Sequence, residues 1–438
     1  MFCPVEITEK KWASCWGLGL MLFCFPYPAW LQSLPDPLDL KQALSLAVQN
    51  GHPELEKIKQ QIEKSVAEQQ LARSNLGIYA QVFGSAEMLE PQDNSSNQDN
   101  NDYALGILVK KRLLDFGRTS HGVAAKKAEQ NAYRWEWVGR REQHHLEVMA
   151  GFFEVILADL QYVRDDEAMA IAYVRFKDAQ DRHAVGKISE VDILEKESIY
   201  HNVRSQRADS ESKQRGTRSR LVYLLNADGP LPHNLILPRF DFKMPLPEAE
   251  ELQQQAVQHN PGLKALQARM ETAQQQLSAV RSERLPLLSA SAQAGTYQRD
   301  LKGRDKWRVG IEMEVPLWQG GRVAAKQSQA QAELAAVTAD YQTQKMRVQQ
   351  AVLELWLDWQ RLQSKLSEMQ TLTKYRDLYM ERSRARYEVE IQTDLGNAMV
   401  LTSDAKFKLN QTLFEMALVR SRLDVLTAKT VNMESYLK

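Results

Sequence analysis

The chain has 438 residues, 43% hydrophobic and 26% charged, and its 56 basic residues balance 56 acidic ones. That length allows about two to four ordinary domains, and the balanced charge excludes a disordered tail protein or a chain-wide nucleic-acid footprint. A mean hydropathy of −0.47 excludes a multi-span helical membrane protein but not a β-barrel, whose strands hide apolar residues in alternation.

At the N-terminus, charges ending in Lys10-Lys11 precede a nearly unbroken apolar run from Trp12 to Phe25, then Pro26 and Pro28. This order reads as a secretory signal over residues 1–29, cut after Ala29 or Ser33. A single membrane anchor fits less well, because the run is shorter than about 18 residues. A lipoprotein junction is disfavoured, since Phe23 stands before Cys24 where a small residue is wanted. Cys3, Cys15 and Cys24 are the only cysteines, so loss of the leader leaves no disulfide framework and no cysteine metal site.

Helix is predicted from Leu38 to Asn75, with Pro53 opening its second part. A weak strand, Ile78 to Leu89, is joined through the polar Pro91 to Asp102 to a second in which Tyr103, Leu105, Ile107 and Val109 alternate. These make a hairpin at about 77–113. Leu146, Met149, Phe153, Ile156, Leu160 and Val163 then follow coiled-coil spacing. Residues 119–183 hold no proline, so one helix there would reach about 100 Å. A break at Val185 to Asp192 precedes a return helix to about Asn226, whose Arg204 to Arg215 stretch is polar and reads as a solvated face.

Five prolines between Asp228 and Pro247 make that segment a connector. The plan then recurs. Leu44 to Leu55 (LSLAVQNGHPEL) matches Leu252 to Leu263 (LQQQAVQHNPGL), and Leu113 to Arg118 (LLDFGR) matches Leu317 to Arg322 (LWQGGR). The organisation is therefore a first repeat at 36–227 with long helices over 118–226, the connector at 228–247, a second repeat at 248–428 and a tail at 429–438. In the second repeat a hairpin at about 286–317 pairs Leu287 to Tyr297 with an alternating strand. That strand sets Trp307, Val309, Ile311, Met313, Val315 and Leu317 against Arg308, Gly310, Glu312 and Glu314. This is period two over about eleven residues, enough to cross a bilayer when tilted. Long helices over 322–428 follow, with Val348, Val352, Leu355, Trp359, Leu362, Leu366 and Met369 in coiled-coil spacing and a break near Val389 to Gly396.

Four strands with an apolar face cannot stand alone in a membrane, because both edges would bare backbone N–H and C=O groups to hydrocarbon. Closure needs strands from other copies. Two copies give eight strands and a filled interior, three give twelve and room for water. Arg308, Glu312, Glu314 and Gln293 on the inner face favour the wet option.

With its two His/Asn-Pro-x-Leu helix starts, its LLDFGR and LWQGGR strand exits and its Val185-Gly186 break six residues before Asp192, the chain resembles the TolC-like outer-membrane efflux proteins over about residues 36–428. The resemblance implies an α+β membrane protein. Four strands per protomer would join a trimeric 12-stranded outer-membrane barrel, continued by an α-helical coiled-coil barrel in the periplasm. It implies a homotrimer set in outer-membrane lipid, docked on a periplasmic adaptor (membrane fusion) protein and an inner-membrane RND or ABC transporter. The expected role is a passive exit duct for tripartite efflux or type I secretion, with the cargo open. A periplasmic coiled-coil scaffold without a channel is the alternative.

The same resemblance places the periplasmic tip and adaptor docking at Gly186, Lys187, Ser189, Glu390 and Gln392, and a gate at Asp192, Tyr387 and Asp394. The family's second tip glycine is Glu390 here and its basic gating partner is Gln392, so a Tyr387–Asp192 link is left while the Arg–Asp part of the latch is missing. Glu390 and Asp394 are candidates for a charged ring. The barrel-to-helix corner falls on Gly117, Arg118, Gly320, Gly321 and Arg322, where glycine permits the turn. Tyr103, Tyr297, Trp307 and Trp318 sit at strand ends as interface aromatics do. Trp135, Trp137, Trp356 and Trp359 are expected to pack between helices. His144 and His145 point to different helix faces and His52, His183 and His201 are isolated, so no metal site is expected. No cofactor and no catalytic constellation is found, and the chain is not expected to be an enzyme.

Overall fold

A computed structural model of the chain describes residues 34–88, 90, 100–242, 245–298, 305–389 and 394–428. The expected leader and the tail at 429–438 lie outside the described residues. The fold is mostly helical with one four-stranded antiparallel sheet. Two short helices, α1 (Leu40–Gln49) and α2 (Pro53–Ser74), lead to strands β1 (Ile78–Met88) and β2 (Asn101–Leu114), the rod α3 (Arg118–Ala184) and the return helix α4 (Glu190–Leu225). After the connector come α5 (Ala249–His259), α6 (Pro261–Arg281), β3 (Leu287–Tyr297), β4 (Trp307–Glu314), the rod α7 (Arg322–Glu388) and α8 (Leu395–Leu426).

Local chemistry sets these bounds. Asp39 and Gln42 form a reciprocal capping box at the start of α1. Pro53 and Pro261 occupy the first turns of α2 and α6, where a missing N–H costs nothing. The Asn260 side chain accepts the Leu263 N–H at 3.2 Å. β4 stops at Glu314, three residues short of the alternation read from the sequence. Pro316 has no N–H for a ladder and biases Val315 ahead of it, so period two continues beyond the pairing.

The strand order is β1-β2-β3-β4, so among the described residues β1 and β4 each pair on one side only. Register sorts the faces. Val82, Ile107, Ala294 and Trp307 lie in one cross-strand row and Gln81, Leu108, Gln293 and Arg308 in the next. One face therefore carries Val82, Leu105, Ile107, Trp307, Val309, Ile311 and Met313, all exposed. The opposite face carries Gln81, Glu87, Lys110, Arg112, Gln293, Arg308, Glu312 and Glu314. Tyr297 is aligned with Ala104 and so lies on this polar face, unlike Tyr103 and Trp307. Its expected place among interface aromatics is corrected by that register.

Each rod has 67 residues, about 100 Å at 1.5 Å per residue. No such rod can bury its own stripe. Toward the sheet, α3 packs on α2 and α6, with Lys126 2.8 Å from Glu68 and His121 Nδ1 2.8 Å from Gln275. Away from it, α3 packs on α4 through Arg218–Asp159 (2.7 Å) and Arg207–Asp166 (3.1 Å). Such half-exposed pairs contribute about 0–1 kcal/mol each, so apolar burial between helices holds the bundle. No helix among the described residues is long and apolar enough to cross a membrane.

Two cores lie near the middle of the rods. One gathers Leu38, Leu40, Phe152, Phe153, Leu221, Leu225 and Phe414, the other Leu252, Leu263, Val352, Trp359, Leu362 and Met416. Phe153 and Phe414 stack at 4.3 Å between centroids. Phe240 from the connector meets Phe153 edge-on, and Phe242 meets Trp359 edge-on at 5.5 Å. The connector thus reaches both cores. Of the tryptophans expected to pack, Trp359 is buried and Trp356 Nε1 donates to the Pro247 carbonyl at 3.2 Å. Trp135 lies under Lys264 and Trp137 beside Arg141.

His52 is not isolated. It is buried beside His144, ring centroids 4.6 Å apart, with Tyr223 edge-on to it. Sequence spacing hid this because the two rings come from α3 and the residue capping α2. His52 Nδ1 accepts the Glu54 N–H at 3.4 Å, and Arg140 bonds both Glu54 and Glu147 nearby. Burial, then the neighbouring His52, holds His144 below its ordinary pKa of 6.5, against the opposing pull of Glu147. The neutral ring is therefore the native form. Its contribution is complete above pH 6.5 and fades as pH falls through the lowered value. Hydrogen exchange across residues 49–56, corrected for intrinsic rates, is expected to lose protection between pH 7.5 and 5, by about tenfold per unit of lowering. His144→Phe should flatten that profile; the same pH response in the variant would contradict the assignment.

Candidate functional site: the strand-to-helix corner and the distal tip

Strand must become rod twice. Gly117 (φ 93°), Gly320 (φ 58°) and Gly321 (φ 80°) all take the left-handed conformation at these corners, which a side chain would strain. Asp115 is buried and accepts the Thr119 N–H at 3.0 Å and the Thr119 hydroxyl proton, while Arg112 donates to Thr119 Oγ1 at 3.0 Å. This network caps the first turn of α3, where Gly117 has no side chain to do so. Arg322 donates to Gln319 at 2.9 Å at the second corner.

Glu283, in a 3-10 turn just before β3, joins the two corners. It takes Lys326 of α7 on both oxygens at 3.0 Å and lies 3.6 Å from Arg118 of α3. Nothing in the sequence marked Glu283, because its partners are 165 residues before it and 43 after it. Its side chain is 11% exposed, so the carboxylate is answered chiefly by these two cations.

At the far end of the rods, α3 closes on Gly186 (φ 73°). The Gly186 N–H reaches the His183 carbonyl at 2.8 Å and the Lys187 N–H reaches Arg182 at 2.9 Å, the double bond of a glycine-terminated helix. Ser189 then opens α4. Asp192 Oδ2 accepts from the Ser189 N–H at 2.9 Å and from its hydroxyl at 2.7 Å. Those bonds, first the hydroxyl and then the amide, hold the Asp192 carboxyl below its ordinary range. The carboxylate is engaged within its own turn, and no hydrogen bond among the described residues joins it to Tyr387, which is 63% exposed. Glu390 and Gln392 lie outside the described residues.

Asp394 caps α8 through the Asn397 N–H at 3.0 Å and pairs with Arg175 of α3 at 2.5 Å. An Arg–Asp contact thus exists at this end, built from an arginine in the other half of the chain. Further along the α3–α8 seam, Ser403 donates to Glu167 at 2.7 Å and Arg164 meets Asp404 at 3.0 Å. Gly396 lets the start of α8 sit against Ile171, whose Cγ1 would be 2.9 Å from any added Cβ. Arg164, Glu167, Ile171, Arg175, Ser403 and Asp404 were not singled out from sequence, since only the pairing of α3 with α8 brings them together. Among the described residues, no group of three or more His, Cys, Asp or Glu is placed to hold a metal ion. Glu283→Gln should destabilise the folded protein by about 1–3 kcal/mol, by removing a charge that two cations answer. Urea unfolding in detergent would measure it, and an unchanged midpoint would remove Glu283 as the tie between corners.

Residues 252–429 match the family model of the outer membrane efflux protein. No curated protein matches the chain by sequence. Among solved structures, the Campylobacter jejuni CmeC outer membrane channel superposes with a TM-score of 0.75 at 16% identity, over 90% of this chain and 85% of that one. The outer membrane protein VceC of Vibrio cholerae gives 0.68 at 15% identity, over 89% and 96%. The open state of the Neisseria gonorrhoeae MtrE outer membrane channel gives 0.65 at 17% identity, over 89% and 88%. At these identities the superpositions speak to fold, and the family model speaks to descent. Residues 252–429 thus match the outer membrane efflux protein family, and the chain as a whole has the fold of these outer membrane channels.

Proposed function

We propose that the protein is the exit duct of a tripartite efflux or type I secretion system. In this reading it works as a homotrimer and passively conducts cargo from an inner-membrane RND or ABC transporter and a periplasmic adaptor to the outside. The observation that carries the reading is the sheet: one face apolar and exposed, one face polar, and two open edges at β1 and β4. The apolar face suits hydrocarbon, the polar face suits a water-filled bore, and three copies closing edge to edge leave no backbone group bare. β1 and β3, with 11 residues each, extend about 37 Å, ample for a tilted crossing. The two repeats at 36–227 and 248–428 would then contribute alternate hairpins and alternate rod pairs around one tube.

The tip would be the docking and gating end. Val185, Val191 and Leu194 are exposed apolar residues around Gly186, Lys187 and Ser189, a surface suited to an adaptor; Glu390 and Gln392 are proposed to belong to the same docking end. Gating would be movement of the α7–α8 pair away from α3, so the contacts along the α3–α8 seam hold the closed form. Arg175–Asp394 is the outermost of them, and its pairing counts against Asp394 as a free member of a charged ring. Asp192, spent on Ser189, would serve the turn, leaving Tyr387 as a secondary contact.

Two measurements test this reading. Outer-membrane fractions run unboiled should give a band near three times the monomer mass that collapses on boiling; monomer in both lanes would overturn the trimer. In planar bilayers, Asp394→Ala and Arg175→Ala should each raise conductance by roughly twofold, since the narrowest ring limits the flow. Conductance equal to that of the unaltered protein would move the latch elsewhere.

A further inference from the structure

The polar face of the sheet holds an arrangement that neither the duct reading nor the membrane crossing requires. Phe83, Gly106 and Gly295 stand side by side on β1, β2 and β3. Phe83 is the one half-buried residue of β1. Its Cζ and Cε1 occupy the space where a Gly106 Cβ would be, 2.6 and 2.8 Å from that position. Cζ is the ring atom farthest from the backbone, so the ring lies down across the neighbouring strand and does not stand up from the sheet. Tyr297 lies low as well, back along its own strand β3. Its hydroxyl is 3.3 Å from where a Gly295 Cβ would be and accepts from Gln293 Nε2 at 2.9 Å. Two aromatic rings thus lie low over two adjacent glycines, on a face otherwise dominated by polar and charged residues.

A ring lying along a sheet turns a π-face away from the backbone, and π-faces attract other flat rings. We propose that Phe83 and Tyr297 form an aromatic floor inside the bore, one per protomer, that holds planar aromatic cargo by stacking as it passes. The glycines leave room for the floor, since a Cβ at Gly106 would meet the Phe83 ring and one at Gly295 the Tyr297 hydroxyl, besides the neighbouring strands' backbone at the Ala294 and Leu105 carbonyls. This inference rests on the duct reading, since it places the polar face inside.

The test is single-channel block in planar bilayers by two probes of equal charge, N-methylacridinium, which is planar and aromatic, and tetramethylammonium, which is neither. Wild-type channels should be blocked more strongly by N-methylacridinium. Phe83→Leu and Tyr297→Leu should each weaken that block about three- to tenfold, leave tetramethylammonium unchanged, and be matched by a Phe83→Tyr variant that keeps the block. Should Phe83→Leu fail to assemble, Tyr297→Leu decides. Equal discrimination between the probes in wild type and leucine variants would overturn the floor and leave the rings as filler over the glycines. Wild-type protein that carries no current at all would instead overturn the duct.

Discussion

Backbone groups at the border of a sheet must find partners, and hydrocarbon offers none. β1 and β4 are both such borders, and the face beside them bares Val82, Ile107, Trp307, Val309 and Ile311. A lone chain in this form is incomplete in two senses: it has unanswered edges and an unburied apolar surface. Closing copies edge to edge would answer the first, and lipid would answer the second. The polar row of Gln293 and Arg308 would then be left facing inward, where water can reach it.

The remaining architecture converts that sheet into a long object. Corner glycines with positive φ turn each strand exit into a rod, and Glu283 ties the two exits with one carboxylate. The rods cannot bury their own stripes, so shorter helices accompany them in two tiers, α2 and α6 toward the sheet, α4 and α8 away from it. Where the tiers meet, side chains answer the open helix ends. Asn50 Nδ2 donates to the Leu225 carbonyl at 2.8 Å, and Asn260 Nδ2 donates to the Leu426 carbonyl at 3.3 Å. The short turn before each proline therefore clasps the end of a return helix. The connector adds Phe240 and Phe242, so apolar burial concentrates at mid-rod while both extremities depend on polar contacts.

That distribution matters for movement. Toward the tip, the α3–α8 seam is held by partly exposed ion pairs and hydrogen bonds, each individually weak, with Gly396 allowing close approach to Ile171. Contacts of this kind can be exchanged for water at little cost, whereas the stack of Phe153 on Phe414 cannot. In the proposed duct, a hinge at the aromatic core would let the tip open.

How much of this was legible beforehand follows from the range of each interaction. Period two, coiled-coil spacing, the prolines at 53 and 261 and the glycines at 117, 186 and 321 act within a few residues, and the elements they imply are present with nearly the expected bounds. Pro316 is the instructive exception: it cuts β4 at Glu314 although the alternation runs on, because pairing needs an N–H and patterning does not. The partners of Glu283, the meeting of His52 with His144, the Arg175–Asp394 contact and the low rings of Phe83 and Tyr297 were hidden. Each joins residues far apart in the chain or turns on strand register. The sequence by itself determined which segments are helix or strand and which faces are apolar, since backbone geometry and side-chain period are local. Only the tertiary structure decided which charge meets which, because that choice belongs to the packing of α3 on α8 and of the two hairpins on each other, and no local spacing encodes it.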